Sequence, residues 1–198
     1  EITLNLAKKL VKYAYGNKDT PSLDRFLESA LSTLINHKEE HSLASLYQLF
    51  MDEEFRNRVV PQVSDEFLQG FWEQEGDNDF KRDIRPLLNR LNSLLLNKHL
   101  RRMFGQKQWG LDILKWMDEG HIVLIDALGM DKRDFFLAGG TIVEYYYEIA
   151  KQFRGTGSKL HILAIDESHL LKLPIYPEMI AFARKHGLSL GLITQYFE

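Results

Sequence analysis

The spacing of apolar residues changes once along the chain, near Trp109, and this change limits the folds that are open to the sequence. From Ile2 to about Phe104 the apolar residues recur at intervals of about three and four, which is the spacing of amphipathic helices. The clearest stretch of this kind comprises Leu23, Phe26, Leu27, Ala30, Leu31 and Leu34. The first half of the chain is therefore predicted to be an all-α domain, over residues 1–108.

After Trp109 the apolar residues come in short runs, which are typical of strands that are buried on both faces. Three such runs occupy residues 122–125, 162–165 and 188–193, and each precedes a polar residue. Helices are predicted between them, at about 133–153 and 177–185. This alternation predicts an α/β domain with a parallel sheet, over residues 109–198.

Cysteine content and charge exclude several classes of function. The 198 residues contain no cysteine, which excludes disulfide bonds and thiol chemistry and fits the cytoplasm as the expected location. The formal net charge of −3 excludes a uniformly basic surface, so contact with DNA requires a local patch. No apolar run approaches the roughly 20 residues of a membrane-spanning helix.

Two adjacent acids, Asp166 and Glu167, directly follow the run at 162–165. Open α/β sheets bind ligands at the carboxyl ends of their strands, so both carboxylates are candidate site residues. This is the form of a Walker B motif, in which Asp166 holds Mg²⁺ through its water shell and Glu167 activates the water that attacks the γ-phosphate of ATP. The alternative is structural: Asp166 caps the next helix and Glu167 lies in its first turn.

The next run ends in Thr194 and Gln195, which places a hydroxyl and an amide at the same edge of the predicted sheet as the acids. A polar residue that senses the γ-phosphate is expected there. The alternative is that the two residues only begin a turn.

Several blocks of the sequence, taken together, resemble the HerA/FtsK superfamily of P-loop ATPases. The blocks are Asp166-Glu167, residues 183–187 (Ala-Arg-Lys-His-Gly), Thr194-Gln195, and upstream residues 86–91, 100–106 and 120–128. The closest likeness is to the coupling proteins of conjugation and type IV secretion. It covers roughly residue 42 to the end of the chain.

The resemblance implies a RecA-like motor that is interrupted by a helical insertion. Such motors form rings, usually hexamers, that thread DNA with ATP and Mg²⁺. Residues 1–108 would be the insertion, facing DNA and its processing proteins such as a relaxase, and residues 109–198 would be part of the motor. A membrane anchor is compatible with the resemblance but would lie outside these residues.

The main departure of the chain from the superfamily is that no Gly-x-x-x-x-Gly-Lys-Ser/Thr phosphate loop occurs in it. The loop is expected upstream in a longer protein, and these residues alone are not expected to hydrolyse ATP.

Basic residues are concentrated between Lys81 and Lys107, where Asp83 is the only acid. They are candidates for contact with DNA phosphates, or they form the solvated face of a helix. The strongest candidates are Lys81, Arg82, Arg85, Arg101 and Arg102. Arg184 is similarly ambiguous: it either reaches a nucleotide phosphate across a subunit interface or ends its helix at the surface.

Two other functions remain open at the level of sequence. With His169, the acids also fit the DExH box of superfamily 2 helicases, although residues 193–195 read Ile-Thr-Gln where those enzymes usually have Ser-Ala-Thr. The alternative for His169, as an isolated histidine after a strand, is a structural role. The second alternative is a non-catalytic interaction module, whose helical half recruits DNA-processing proteins.

Overall fold

The chain forms two compact units, Thr3–Trp109 and Gly110–Glu198. The computed structural model describes residues 2–14, 21–73, 78–107 and 110–195. Within these ranges the first unit contains helices and turns, whereas the second unit also contains strands. None of the helices in the described ranges combines the length and the apolar character that crossing a membrane requires.

The described part of the first unit contains eight α-helices. They are α1 (Ile2–Tyr13), α2 (Pro21–Asn36), α3 (Leu43–Met51), α4 (Glu53–Val59), α5 (Glu66–Glu73), α6 (Asn78–Asp83), α7 (Arg85–Leu96) and α8 (Lys98–Phe104). Local signals set several of their boundaries. The hydroxyl of Ser42 caps α3, the carboxylate of Asp52 caps α4, and Pro86 lies in the first turn of α7, where a missing N–H breaks no helical hydrogen bond.

Aromatic side chains form the centre of the first unit. The fully buried ring of Phe26 lies 5.6 Å from the ring of Phe71 and 4.9 Å from that of Phe80, in both cases edge to face. The indole N–H of Trp72 donates a hydrogen bond to Oγ1 of Thr33 at 2.9 Å. A buried polar group of each side chain is thereby satisfied, so the core gains apolar contact without an unpaired indole N–H.

The second unit combines three α-helices with two parallel strands. They are α9 (Ile113–Glu119), α10 (Lys132–Phe153), β1 (His161–Ile165), α11 (Tyr176–Phe182) and β2 (Leu188–Leu192). The strands pair in register, so that His161 lies opposite Leu188 and Ile165 opposite Leu192. Helix α10 buries Tyr146 and Tyr147, which pack in the core of this unit.

Arg154, which follows α10, fixes the amino ends of both strands. Its side chain is 1% exposed, and its guanidinium donates hydrogen bonds to the carbonyl oxygens of Gly187 and Lys159. Its Nε also lies 3.0 Å from a carboxylate oxygen of Asp118 in α9. Because Lys159 precedes β1 and Gly187 precedes β2, one buried cation connects the two strands to the helices.

The apolar run at 122–125 does not form the predicted strand. These residues are irregular, and within the described ranges no backbone hydrogen bond joins them to a strand. Ile122 and Leu124 are 93% and 91% exposed. A strand requires a hydrogen-bonded neighbour and cover for its apolar faces, and the described residues provide neither at this run.

The prediction of a RecA-like α/β core is therefore wrong for this chain. The described residues are mostly helical, and their one sheet has only two strands. The predicted strands at 162–165 and 188–193 are confirmed as β1 and β2. What the structure retains from the α/β pattern is one parallel pair with a helical connection.

Candidate active site

Asp166 and Glu167 form the turn that follows β1. Oδ1 of Asp166 accepts a hydrogen bond from the backbone N–H of Glu167 at 2.9 Å, which closes the turn. Glu167 has a φ of 51°, and it is the only residue other than glycine with a positive φ in the described ranges. A left-handed conformation costs a side chain with a Cβ of the order of 1–2 kcal/mol, so the surrounding contacts must hold it in place.

Ser168 supplies these contacts from the turn to the residue that follows β2. Its backbone N–H and its hydroxyl both donate to the carbonyl oxygen of Ile193, at 2.9 and 3.0 Å. The N–H of Ile193 in turn donates to the carbonyl oxygen of Ile165 at 2.9 Å. The pairing of the strands thus continues past β2 and fixes the turn beside the residues that follow Ile193.

Four polar side chains converge at this point. The amide Nε2 of Gln195 donates to Oε1 of Glu167 at 3.2 Å. Nδ1 of His169 lies 3.2 Å from the other carboxylate oxygen of Glu167, Oε2, and 3.4 Å from the hydroxyl of Thr194. A carboxylate, an imidazole, an amide and a hydroxyl are therefore linked at the carboxyl ends of two parallel strands, which is where open α/β sheets bind ligands.

An open cavity of about 600 Å³ adjoins this cluster. Its walls include Ser168, His169, Lys172, Tyr176, Leu192 and Thr194. The hydroxyl of Tyr176 is buried, and burial raises the pKa of this group to about 12. The lining of the cavity includes both polar and apolar side chains.

The structure brings together four of the residues that the sequence nominated, namely Asp166, Glu167, Thr194 and Gln195. It does not bring Arg184 to them. Arg184 is exposed in a 3₁₀ turn, Ala183–His186, that precedes β2, whereas the acids follow β1. Because the strands are parallel, these two positions lie at opposite ends of the sheet. A role for Arg184 at the nucleotide of another subunit stays a prediction.

The five candidate DNA-binding residues belong to the first unit and are all exposed. They are Lys81, Arg82, Arg85, Arg101 and Arg102. The guanidinium of Arg82 already pairs with Asp79 at 2.9 Å and with Asp83 at 3.1 Å. Arg90, from the same basic stretch, is buried and does not face solvent.

Sequence reasoning missed Ser168 and Tyr176, and it gave His169 a place only in the alternative DExH box. The position of His169, two residues after Glu167, was visible in the sequence. The contact of Ser168 with Ile193 and the burial of the Tyr176 hydroxyl depend on tertiary structure, and no local pattern signals them.

No protein-family model matches the chain, and comparison with curated proteins and with solved structures gives no match either.

Proposed function

We propose that this chain contributes the water-activating part of an ATP site in a DNA-translocating motor of the HerA/FtsK type, closest to the conjugative coupling proteins. The observation that carries the proposal is the contact of Gln195 with Glu167. It joins a potential catalytic base to an amide on the neighbouring strand, with a second carboxylate, Asp166, next to the base.

Glu167 acts as the base in this scheme. Its carboxylate accepts one hydrogen bond from Gln195 and keeps further lone pairs for a water molecule. A proton leaves the water for Glu167 while the water oxygen attacks the γ-phosphorus, and the bond from that phosphorus to the bridging oxygen breaks so that ADP leaves. Gln195, with Thr194, responds to the presence of the γ-phosphate.

Asp166 suits Mg²⁺ as an exposed carboxylate next to the base. The described residues contain no group of three or more histidines, cysteines or acids that could hold a metal by themselves. This agrees with an ion that reaches the site with the phosphates of ATP, since protein Mg²⁺ sites often use only one or two carboxylates. When bound, the ion neutralises charge on the phosphates.

The rest of the proposal concerns the complete protein. A phosphate-binding loop, absent from these 198 residues, has to come from elsewhere in it. Arg184 would serve the site of an adjacent subunit in a ring, usually a hexamer. The exposed basic residues of the first unit would contact DNA, and its helices would meet a relaxase or other processing proteins. The expected location is the cytoplasm, with a membrane anchor possible outside these residues.

The missing phosphate loop favours one other function, a non-catalytic interaction module that recruits DNA-processing proteins. In that case the acids and Gln195 only stabilise the turn after β1.

The test compares DNA-stimulated ATP turnover by the full-length wild-type protein with that of Glu167→Gln, which keeps the shape of the side chain and removes the base. We expect kcat to fall by about 10²- to 10⁴-fold while nucleotide still binds. Glu119→Gln is a matched control, because Oε2 of Glu119 lies 2.8 Å from a histidine two residues away, His121, as Glu167 lies near His169. If the wild type is inert, or if Glu167→Gln turns over ATP normally, the ATPase proposal is contradicted and the non-catalytic interaction module is favoured instead.

A further inference from the structure

His169 contacts two different members of the candidate site through a single nitrogen atom. Its Nδ1 lies 3.2 Å from Oε2 of Glu167 and 3.4 Å from Oγ1 of Thr194. The imidazole belongs to the short 3₁₀ turn Ser168–Leu170, which the hydrogen bonds of Ser168 fasten to Ile193. The ring is therefore held by the same anchor that holds Glu167, and its side chain is only 27% exposed.

The chemistry of the ring decides what this contact does. A neutral imidazole carries its hydrogen on either Nδ1 or Nε2. With the hydrogen on Nδ1, the ring donates to Oε2 of Glu167. With the hydrogen on Nε2, the lone pair of Nδ1 faces a carboxylate oxygen, which is repulsive. The carboxylate therefore selects the Nδ1–H form.

In that form each oxygen of the Glu167 carboxylate has one donor. Oε1 accepts from Gln195, which follows β2, and Oε2 accepts from His169, which follows β1. Two donors on separate chain segments fix the plane of the carboxylate, which a flexible glutamate at a 39% exposed position would not otherwise keep.

On the basis of the proposed function, we propose that His169 is a positioning residue for Glu167: it donates a hydrogen bond from Nδ1 and orients the carboxylate toward the attacking water. The role resembles that of the groups that orient a catalytic base in other enzymes, in which the orienting group does not itself touch the substrate. His169 also lines the 600 Å³ cavity, so a ligand that enters the cavity can change the contact.

The kinetic experiment uses the geometry of amide side chains in the full-length protein. The side-chain nitrogen of asparagine lies near the position of Nδ1 of histidine, whereas that of glutamine lies near Nε2. We expect His169→Asn to keep kcat within about threefold of wild type, and His169→Gln and His169→Ala to lose about 10- to 100-fold in kcat. KM for ATP should stay within about twofold, because an orienting residue acts on chemistry rather than on binding. Equal losses in His169→Asn and His169→Gln, or a loss confined to KM, would overturn the proposal.

A second readout does not depend on turnover. Long-range ¹H–¹⁵N spectra of the full-length protein, labelled at its histidines, report which ring nitrogen carries the hydrogen, and His169→Asn identifies the signal. We expect Nδ1–H in the wild type and a shift toward Nε2–H in Glu167→Ala. If the same ring nitrogen carries the hydrogen in both proteins, or if Nε2 carries it in the wild type, the hydrogen bond from His169 to Glu167 is contradicted.

The outcomes separate the inference from the proposed function. If the wild type turns over ATP and His169→Ala is fully active, only the role of His169 fails. If the wild type is inert with every DNA tried, the proposed function fails, and the catalytic role of His169 fails with it. This holds even if the spectra show that Glu167 determines which ring nitrogen of His169 carries the hydrogen.

Discussion

The side-chain amide of Gln195 donates a hydrogen bond to the carboxylate of Glu167 across 3.2 Å, although 28 positions separate the two residues in the chain. The contact depends on the left-handed conformation of Glu167 and on the two hydrogen bonds from Ser168 to Ile193. Backbone geometry and a serine anchor therefore bring these side chains together, and the backbone geometry can be tested separately from activity.

The first prediction concerns the strain at Glu167. We expect Glu167→Gly to have a free energy of unfolding about 1 kcal/mol higher than that of Glu167→Ala, because glycine adopts a positive φ without the steric cost of a Cβ. Both variants lose the carboxylate, so their difference isolates the backbone. Chemical denaturation measures it. Equal stabilities would mean that residue 167 is not left-handed in solution.

The second prediction concerns Arg154. Lysine cannot reproduce the fork that reaches the carbonyl oxygens of Gly187 and Lys159, and the side chain is 1% exposed. Arg154→Lys should therefore lower the free energy of unfolding of the second unit by about 3 kcal/mol. The control is Arg184→Lys at an exposed position, which should change it by less than about 0.5 kcal/mol. Similar losses in both variants would contradict the anchoring role of Arg154.

The grouping of the site was accessible from the sequence because it depends on a simple rule. Polar residues that follow two parallel strands meet at one edge, and Asp166, Glu167, Thr194 and Gln195 follow two runs that do form strands. The contacts within the group were not accessible, because the left-handed turn at Glu167 and the bond from Ser168 to Ile193 depend on the folded chain.

The prediction of a strand at 122–125 was wrong for a related reason. This run has the same apolar character as the run that became β1, yet it is irregular and exposed. Local composition shows that a segment is suited to a strand, but strand formation also requires a hydrogen-bonded neighbour. Three suitable runs therefore predicted a larger sheet than the two-stranded one that the described residues contain.

The third prediction is a loss of stability in acid. Burial, together with the adjacent His37, lowers the pKa of His41 below its ordinary value of 6.5; Lys107 and Arg58 act in the same direction and Glu39 opposes them. Nε2 of His41 lies 2.9 Å from Nδ1 of His37, so only one hydrogen fits between the rings. The unfolded chain therefore binds a proton at residue 41 more readily than the folded chain does. The contribution of neutral His41 to the free energy of unfolding is complete above pH 6.5 and is lost as the pH falls toward the folded-state pKa.

Thermal unfolding of the wild type and of His41→Asn, followed by circular dichroism across this pH range, tests the third prediction. The variant should lose less stability than the wild type on acidification. His99→Asn, at an exposed position, should behave like the wild type. His161 adds a similar loss in the second unit, since burial and Arg154 lower its pKa. If the thermal stability of the wild type is the same across this pH range, the predicted loss of stability in acid is contradicted.

The fourth prediction concerns DNA. If the exposed basic residues contact phosphates, Arg101→Gln and Arg102→Gln should each reduce the slope of log K against log salt concentration by about 1. Arg82→Gln should have a smaller effect, because Asp79 and Asp83 already compensate this guanidinium. Fluorescence anisotropy with labelled DNA at several salt concentrations measures the slopes. Identical slopes for the three variants and the wild type would exclude this stretch as the DNA contact.

The fifth prediction concerns the free edge of β2. This strand pairs with β1 on one side, and within the described ranges no strand pairs with its other side. Leu192 and the following Ile193 are 40% and 54% exposed, so apolar surface accompanies this edge. Such an edge invites pairing with another chain, and a lysine there opposes it.

We therefore expect the chain to self-associate as its concentration rises, without nucleotide, and Leu192→Lys to reduce this association. Ile180→Lys is the control, because Ile180 is 69% exposed but belongs to α11 and not to the edge strand. Size-exclusion chromatography with light scattering distinguishes the cases. Pairing through the edge of β2 predicts that a lysine at residue 192 reduces association more than a lysine at residue 180. If both variants reduce association equally, exposed apolar surface in general drives it. A wild type that stays monomeric at high concentration would mean that the edge is covered in solution.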